Sequence, residues 1–144
     1  MRTKQVGLLG CVGLLLVLSA VPALAHHAFA AEFDATKPLK LQGTVTKVEW
    51  INPHTWIHME VKRPNGIVES WAVEGGPPNA LLRRGFTKGA LPAGTEILVD
   101  GFQAKDNSKR LNGRDLTFAD GQRMFLGSSG TGAPEDGRDP GDKK

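Results

Sequence analysis

The stretch from His54 to Lys62 reads HTWIHMEVK, and its alternation of polar and apolar residues is the strongest indication of the fold. Every second residue is apolar or β-branched, which is the period of a half-buried β-strand. One face of this predicted strand presents Thr55, Ile57, Met59 and Val61. The opposite face presents His54, Trp56, His58 and Glu60. We therefore expect the first face to lie in a core and the second on the outside of a sheet.

Further strands are predicted on both sides of this stretch. Residues 41–50 are rich in β-branched side chains, and the strand that they predict ends at an Asn52-Pro53 turn. Pro64-Asn65-Gly66 is a hairpin signal, and residues 67–74 after it predict a third strand. The centre of the chain is therefore predicted to be three consecutive antiparallel strands.

The second half of the chain predicts one helix and further strands. Residues 79–84 follow two prolines and precede Gly85, which predicts a short helix with a glycine at its end. Residues 96–104 predict a strand, and residues 106–114 after them predict a polar loop. Residues 116–119 and 122–126 predict a last hairpin. A helix between the third and fourth strands is the arrangement of the OB-fold. We predict an all-β domain with one short helix, a small OB-like antiparallel β-barrel of five or six strands; a flattened β-sandwich is the alternative.

The two ends of the chain fall outside this domain, which is assigned to residues 26–127. Residues 1–25 have a basic start, an apolar run and an Ala-Leu-Ala site, which predict a signal peptide cleaved after Ala25. The apolar run is shorter than the ~20 residues that span a bilayer. We therefore expect a periplasmic or secreted protein with no stable membrane anchor after cleavage. Residues 128–144 are rich in glycine, proline and charge, which predicts a disordered tail.

Cleavage also changes the charge and the cysteine content. The whole chain has a net charge of +3; without Arg2 and Lys4, sixteen basic residues face fifteen acidic ones, a net charge of +1. The single cysteine, Cys11, leaves with the signal peptide, so the mature protein has no disulfide and no thiolate chemistry. A nearly neutral exported domain without a basic stripe argues against a nucleic-acid partner.

Histidines are the candidate metal ligands, at positions His26, His27, His54 and His58. Cleavage after Ala25 would make His26 the first residue, so that its amine and its ring nitrogen chelate one metal ion and a second imidazole completes a T-shaped copper site. His27 would offer an amine, an amide and an imidazole in one plane, and such tetragonal nitrogen ligation favours copper. His54 and His58 are separated by about 13 Å along a strand. We therefore expect His54, in the turn, to join the amino terminus; a solvated or structural role is the alternative for these histidines.

Trp56 is the candidate for binding a ligand without a metal. It shares the outward face with the strand histidines, and OB-type barrels use aromatic side chains on such strands to bind oligosaccharides or single-stranded nucleic acid. Burial in the core is the alternative for Trp56, as it is for Trp50 and Trp71.

Several motifs occur together in this chain. They are the HHxFxxEFD motif of residues 26–34, Gly43-Thr-Val, the WxNPH motif of residues 50–54, Trp71, and Leu91-x-x-Gly94-Thr. Together they resemble a family of small secreted proteobacterial proteins that is known only as a domain of unknown function. The resemblance covers roughly residues 26–126. It implies export and a small β domain, and it implies no particular activity.

Three hypotheses of function follow. The first is a non-enzymatic periplasmic binding or accessory protein that binds copper through His26 and His54, with His27 contributing. The second is a metal-free module that uses Trp56 and the barrel face for a glycan or a partner protein. The third is a copper oxidoreductase, which requires an open coordination position and a substrate surface. The sequence names neither a physiological ligand nor a protein partner.

Overall fold

The computed structural model describes residues 29–127 of the chain. Within this range a helical turn at residues 29–32 leads into six strands and one short helix. The strands are β1 (Phe33–Trp50), β2 (Thr55–Lys62), β3 (Val68–Glu74), β4 (Glu96–Ala104), β5 (Arg110–Phe118) and β6 (Arg123–Phe125). The helix α1 (Pro78–Arg83) lies between β3 and β4 along the chain.

The six strands form one sheet that closes on itself. The strand order is β3-β2-β1-β4-β5-β6, and an additional pairing of β3 with β5 completes a ring of five strands. The pairs are antiparallel except for β3 with β5, which are parallel where Ala72 to Glu74 face Arg110 to Asn112. This ring, with α1 between β3 and β4, confirms the predicted OB-like barrel. It also rules out the flattened sandwich, in which two separate sheets would face each other.

The predicted alternation of β2 is confirmed by the burial of its side chains. Its inward residues are all buried, namely Thr55, Ile57, Met59 and Val61. They meet the inward residues of the other ring strands in one core. Leu81 of α1 and Leu126, which follows β6, also belong to this core. The short helix begins with Pro78 at its first position, and Gly85 follows it with a φ of 86°. The prolines and the glycine therefore delimit this helix as the sequence predicts.

β1 is longer than predicted because β4 supplies its backbone partners. It begins at Phe33 rather than at residue 41. Residues 33–40 have no regular alternation, yet Phe33 pairs with Ala104 and Pro38 with Phe102. The hydrogen bonds of a neighbouring strand thus determine the conformation of a segment whose own sequence is ambiguous.

The predicted polar loop at residues 106–114 is wrong in its second part. Residues 110–114 belong to β5, which begins at Arg110. Their polar side chains hide the signal of a strand, but closing the ring requires this segment to pair with β3 on one side and with β4 on the other. Residues 116–119 and 122–126 do form a hairpin region, with Gly121 in its turn at a φ of 86°.

A second apolar cluster lies outside the ring. It consists of Phe29, Phe33, Phe102 and Ala104. The ring centroid of Phe29 lies 5.9 Å from that of Phe33 and 5.7 Å from that of Phe102. Because Phe102 and Ala104 have the opposite parity to Val99 of the barrel core, the cluster covers the outer surface of β4. The helical turn at residues 29–32 is therefore held against the outside of the barrel.

Some predictions lie outside the described residues. These are the signal peptide with its cleavage after Ala25, the histidines His26 and His27, and the tail at residues 128–144. Between residues 29 and 127, no helix is long and apolar enough to cross a membrane.

Candidate functional site

A row of outward-facing residues crosses the barrel at the candidate site. The strand register places Trp56 of β2 between Glu49 of β1 and Glu74 of β3. Glu74 in turn pairs with Asn112 of β5, and Asn112 pairs with Phe102 of β4. Because neighbouring strands lie about 4.8 Å apart, the backbones of Glu49 and Glu74 are about 10 Å apart across Trp56. The register thus aligns one residue from each of the five ring strands in a single row around the barrel.

Glu74 is buried although it belongs to the outer face. It is 5% exposed, and its Oε1 accepts a hydrogen bond from Nδ1 of His54, the residue directly before β2. This hydrogen bond raises the pKa of His54; burial opposes the shift, and the charges of Glu74 and Glu32 add to it. A carboxylate only accepts, so the bond holds the proton on Nδ1 and leaves Nε2 for another partner.

His58 forms the second pair between a histidine and a carboxylate. Its Nε2 lies 2.8 Å from Oε2 of Glu49, and Lys47 donates to the other oxygen of Glu49 at 2.7 Å. These bonds, the one from Lys47 first, lower the pKa of Glu49. Both partners of this pair are about one-third exposed, in contrast to the buried Glu74. Each strand histidine therefore has a carboxylate partner of its own.

The helical turn at residues 29–32 is fixed close to His54. Oε2 of Glu32 lies 3.1 Å from Nη1 of Arg110, and the carbonyl oxygen of Glu32 accepts a hydrogen bond from the backbone N–H of Lys105 at 2.9 Å. The charge of Glu32 is near enough to contribute to the raised pKa of His54. The turn at residues 29–32 is therefore attached to the start of β5, and the charge of Glu32 acts on His54 from there.

Two of the four predicted metal ligands, His54 and His58, belong to the described part of the chain. No group of three or more His, Cys, Asp or Glu side chains within residues 29–127 is arranged to hold a metal ion. His26 and His27, the other two predicted ligands, lie outside the described residues.

The three tryptophans lie in different environments. Trp71 is 2% exposed in the barrel core, and its Nε1 donates to Glu69 at 3.0 Å. Trp50 is half-buried and packs on Phe86 with ring centroids 5.4 Å apart. Trp56, the candidate ligand-binding residue, is half-buried on the outer face. Of the three, only Trp56 is part of the row of residues at the candidate site.

Sequence reasoning missed Glu74 and Asn112. Asn112 is 3% exposed, and its Oδ1 is buried with no hydrogen-bond partner among the described residues. The only signal for Glu74 was its place as the last residue of a predicted strand. The burial of Asn112 could not be predicted, because its segment is predicted to be a loop, in which inward and outward positions do not alternate.

Comparison with known sequences identifies the family of this chain. No curated protein matches it. The sequence profile of a family of unknown function, DUF6152, matches residues 14–112. The match includes the segment at residues 26–34, both histidine–carboxylate pairs and the first strands of the ring. The chain therefore belongs to DUF6152, a family of unknown function.

Proposed function

We propose that this protein is a small exported binding or accessory protein that holds copper on the outside of its barrel. The ligands are His26 and His54, with His27 contributing. The observation that carries the proposal is the buried carboxylate of Glu74 behind His54.

The pair of His54 and Glu74 has the form of a metal-binding histidine with its supporting carboxylate. Histidines that bind metals usually donate their second ring N–H to a carboxylate or carbonyl, which fixes the tautomer and the ring orientation. Here Nδ1 of His54 donates to Glu74, and Nε2 is the nitrogen left to bind a metal. The His54 side chain is 31% exposed, so an ion has access to it. An imidazole nitrogen suits copper.

The segment between the predicted cleavage site and β1 is short, residues 26–32. Phe29 is held on the outside of the barrel by Phe33 and Phe102. Three peptide steps separate it from His26, a span of at most about 11 Å. Cleavage after Ala25 would give His26 a free amine. That amine, the ring of His26 and Nε2 of His54 would supply the three nitrogens of a T-shaped copper site.

Calorimetric titration with Cu(II) tests this proposal. We expect an extra glycine before His26 to weaken copper binding at least tenfold, because it separates the amine from the first imidazole. We expect His54→Asn to weaken binding at least tenfold as well, and His58→Asn, the matched control four residues further along the chain, to leave it unchanged. Mass spectrometry of the purified exported protein gives the cleavage site. Equal affinity with and without the extra glycine would rule out the amino-terminal chelate.

A metal-free function is the second candidate, and the position of Trp56 favours it. The half-buried Trp56 lies between Glu49 and Glu74 in the register of the outer face. An aromatic face suits a sugar ring, whose C–H groups stack on it, and the partly exposed carboxylate of Glu49 can accept a hydrogen bond from a hydroxyl of the sugar. Glycan-array binding that is lost in Trp56→Ala and kept in His54→Asn would support this function. Glycan binding that survives Trp56→Ala would contradict it.

A further inference from the structure

A groove on the face formed by β1, β2 and β3 lies apart from the pair of His54 and Glu74. Its volume is about 340 Å³, within the usual range of small-molecule sites. Lys47 of β1 lies on one side of it, and Lys109, directly before β5, on the other. The next row of the sheet register crosses the groove, from Lys47 through His58 to Ala72.

Two local features of the strands form this groove. A bulge in β1 inserts Thr46 between Val45, which pairs with Met59, and Lys47, which pairs with His58. Bulges redirect side chains and are common beside binding sites.

The second feature is a pair of small residues on β3. Ser70 is exposed and Ala72 is half-buried, so neither fills the space between the two lysines. The buried ring of Trp71 lies beneath Lys109, whose Nζ is 5.2 Å from the ring centroid. Trp71 therefore forms part of the lining of the groove.

The polar groups that line the groove include the ammonium groups of Lys47 and Lys109 and the hydroxyls of Thr46 and Ser70, all of which can donate, and none of the lining residues is acidic. The ring of His58 also lines the groove, but its Nε2 is already paired with Glu49. Each lysine donates to one carboxylate outside the groove, Lys47 to Glu49 and Lys109 to Glu69, both at 2.7 Å. An ammonium group has three N–H donors, so each lysine retains donors for a ligand.

We infer that this groove binds a small ligand through an oxyanion, either a phosphate or a carboxylate group. Two ammonium groups on opposite sides would hold the anion by charge-assisted hydrogen bonds, and the hydroxyls of Thr46 and Ser70 would complete its shell. The inference does not depend on copper binding, because it uses neither His54 nor the amino terminus.

Titration of the isotope-labelled protein followed by NMR tests the inference, with inorganic phosphate and glucuronate as probes and glucose as the neutral control. We expect saturable shifts of the backbone amides around Thr46, His58 and Ala72 with at least one anion. Tighter binding of phosphate would assign the groove to phosphorylated ligands, and tighter binding of glucuronate to carboxylates. We expect Lys47→Gln and Lys109→Gln each to weaken binding about three- to tenfold.

Two further variants separate binding from folding. Lys88→Gln removes the same charge from an exposed lysine outside the groove, and we expect it to keep the affinity. Ser70→Leu fills the groove and leaves both lysines in place, and we expect it to abolish binding even if Lys109→Gln disturbs the fold. The inference is overturned if no anion shifts the groove amides, if glucose binds as tightly as the anions, or if the Ser70 variant retains affinity.

Discussion

The substitution Glu74→Gln is the sharpest test of how the site is built. It keeps the size of the side chain and replaces the buried carboxylate that accepts from Nδ1 of His54. A hydrogen bond to a charged group contributes about 1.5–3 kcal/mol. The His54 ring is 31% exposed, so solvent screens part of this term, and we expect a loss of about 1–2 kcal/mol at mildly acidic pH.

The raised pKa of His54 determines how this loss depends on pH. The charged pair contributes its full stability below the unfolded-state pKa of 6.5, and the contribution is lost as the pH rises through the higher folded-state pKa. Above that value the neutral ring can still donate to the oxygen of a glutamine. Glu74→Gln should therefore destabilise the protein most at about pH 5.5 and least at about pH 9.

Urea denaturation at the two pH values measures the free energy of unfolding, and NMR titration of the His54 ring measures its pKa. The matched control is Glu49→Gln, because Glu49 pairs with His58 in the same way but is far more exposed than Glu74. We expect a smaller loss for this control, and a lower pKa of His54 only in Glu74→Gln. A loss of stability in Glu49→Gln as large as that in Glu74→Gln would contradict the idea that burial strengthens the pair of His54 and Glu74. A greater loss in Glu74→Gln at high pH than at low pH would contradict it as well.

Three other predictions concern the packing and the charges of the domain. Gly101→Ala would place a methyl group against a backbone oxygen of β5, and we expect urea denaturation to show a loss of about 1–3 kcal/mol in the free energy of unfolding. The control Gly89→Ala has open space around the new methyl group and should be nearly neutral. Phe29→Ala removes one member of a cluster of four residues, and we expect a loss of about 2–3 kcal/mol by the same method. The pKa of Glu69 is lowered to about 2, first by its hydrogen bond from Lys109, so its stabilisation is present above the unfolded-state value of 4.5 and is lost as the pH falls toward 2. NMR titration should find that low pKa and a higher one in Lys109→Gln.

Each of these expectations has a contrary result. Equal losses in the two glycine variants would mean that the close approach of β4 and β5 does not constrain residue 101. Unchanged stability of Phe29→Ala would mean that the turn at residues 29–32 does not rest on the outer cluster. An unchanged pKa of Glu69 in Lys109→Gln would assign the shift to other neighbours.

The parts of the fold that sequence predicted best are those in which each residue signals its own environment. The alternation of residues 54–62 predicted which side chains of β2 are buried. The prolines and Gly85 predicted the bounds of α1 within one residue at each end. β4 was predicted with its observed bounds, residues 96–104. In all three cases the signal is local, either a hydrophobic period or a residue with a restricted φ.

The candidate site was predicted only in part. His54 and His58 were chosen as candidates because histidine is the commonest metal ligand and one of them follows a turn. The sequence does not identify Glu49 and Glu74 as the partners of these histidines, since many carboxylates of the chain have comparable sequence surroundings. A partner across strands is determined by the register, and the register depends on contacts between distant segments.

The amino-acid sequence alone is enough to predict the type of fold, the inward and outward faces of β2, and the position of the short helix. The strand conformation of residues 33–40 and 110–114 depends on the tertiary structure, because their backbone groups obtain partners only when β4 and the ring closure of β3 with β5 are in place. The tertiary structure also decided that Glu74, on an outward face, is buried behind His54. Periodicity is a property of one strand, whereas burial on the outer face requires a second segment to cover it.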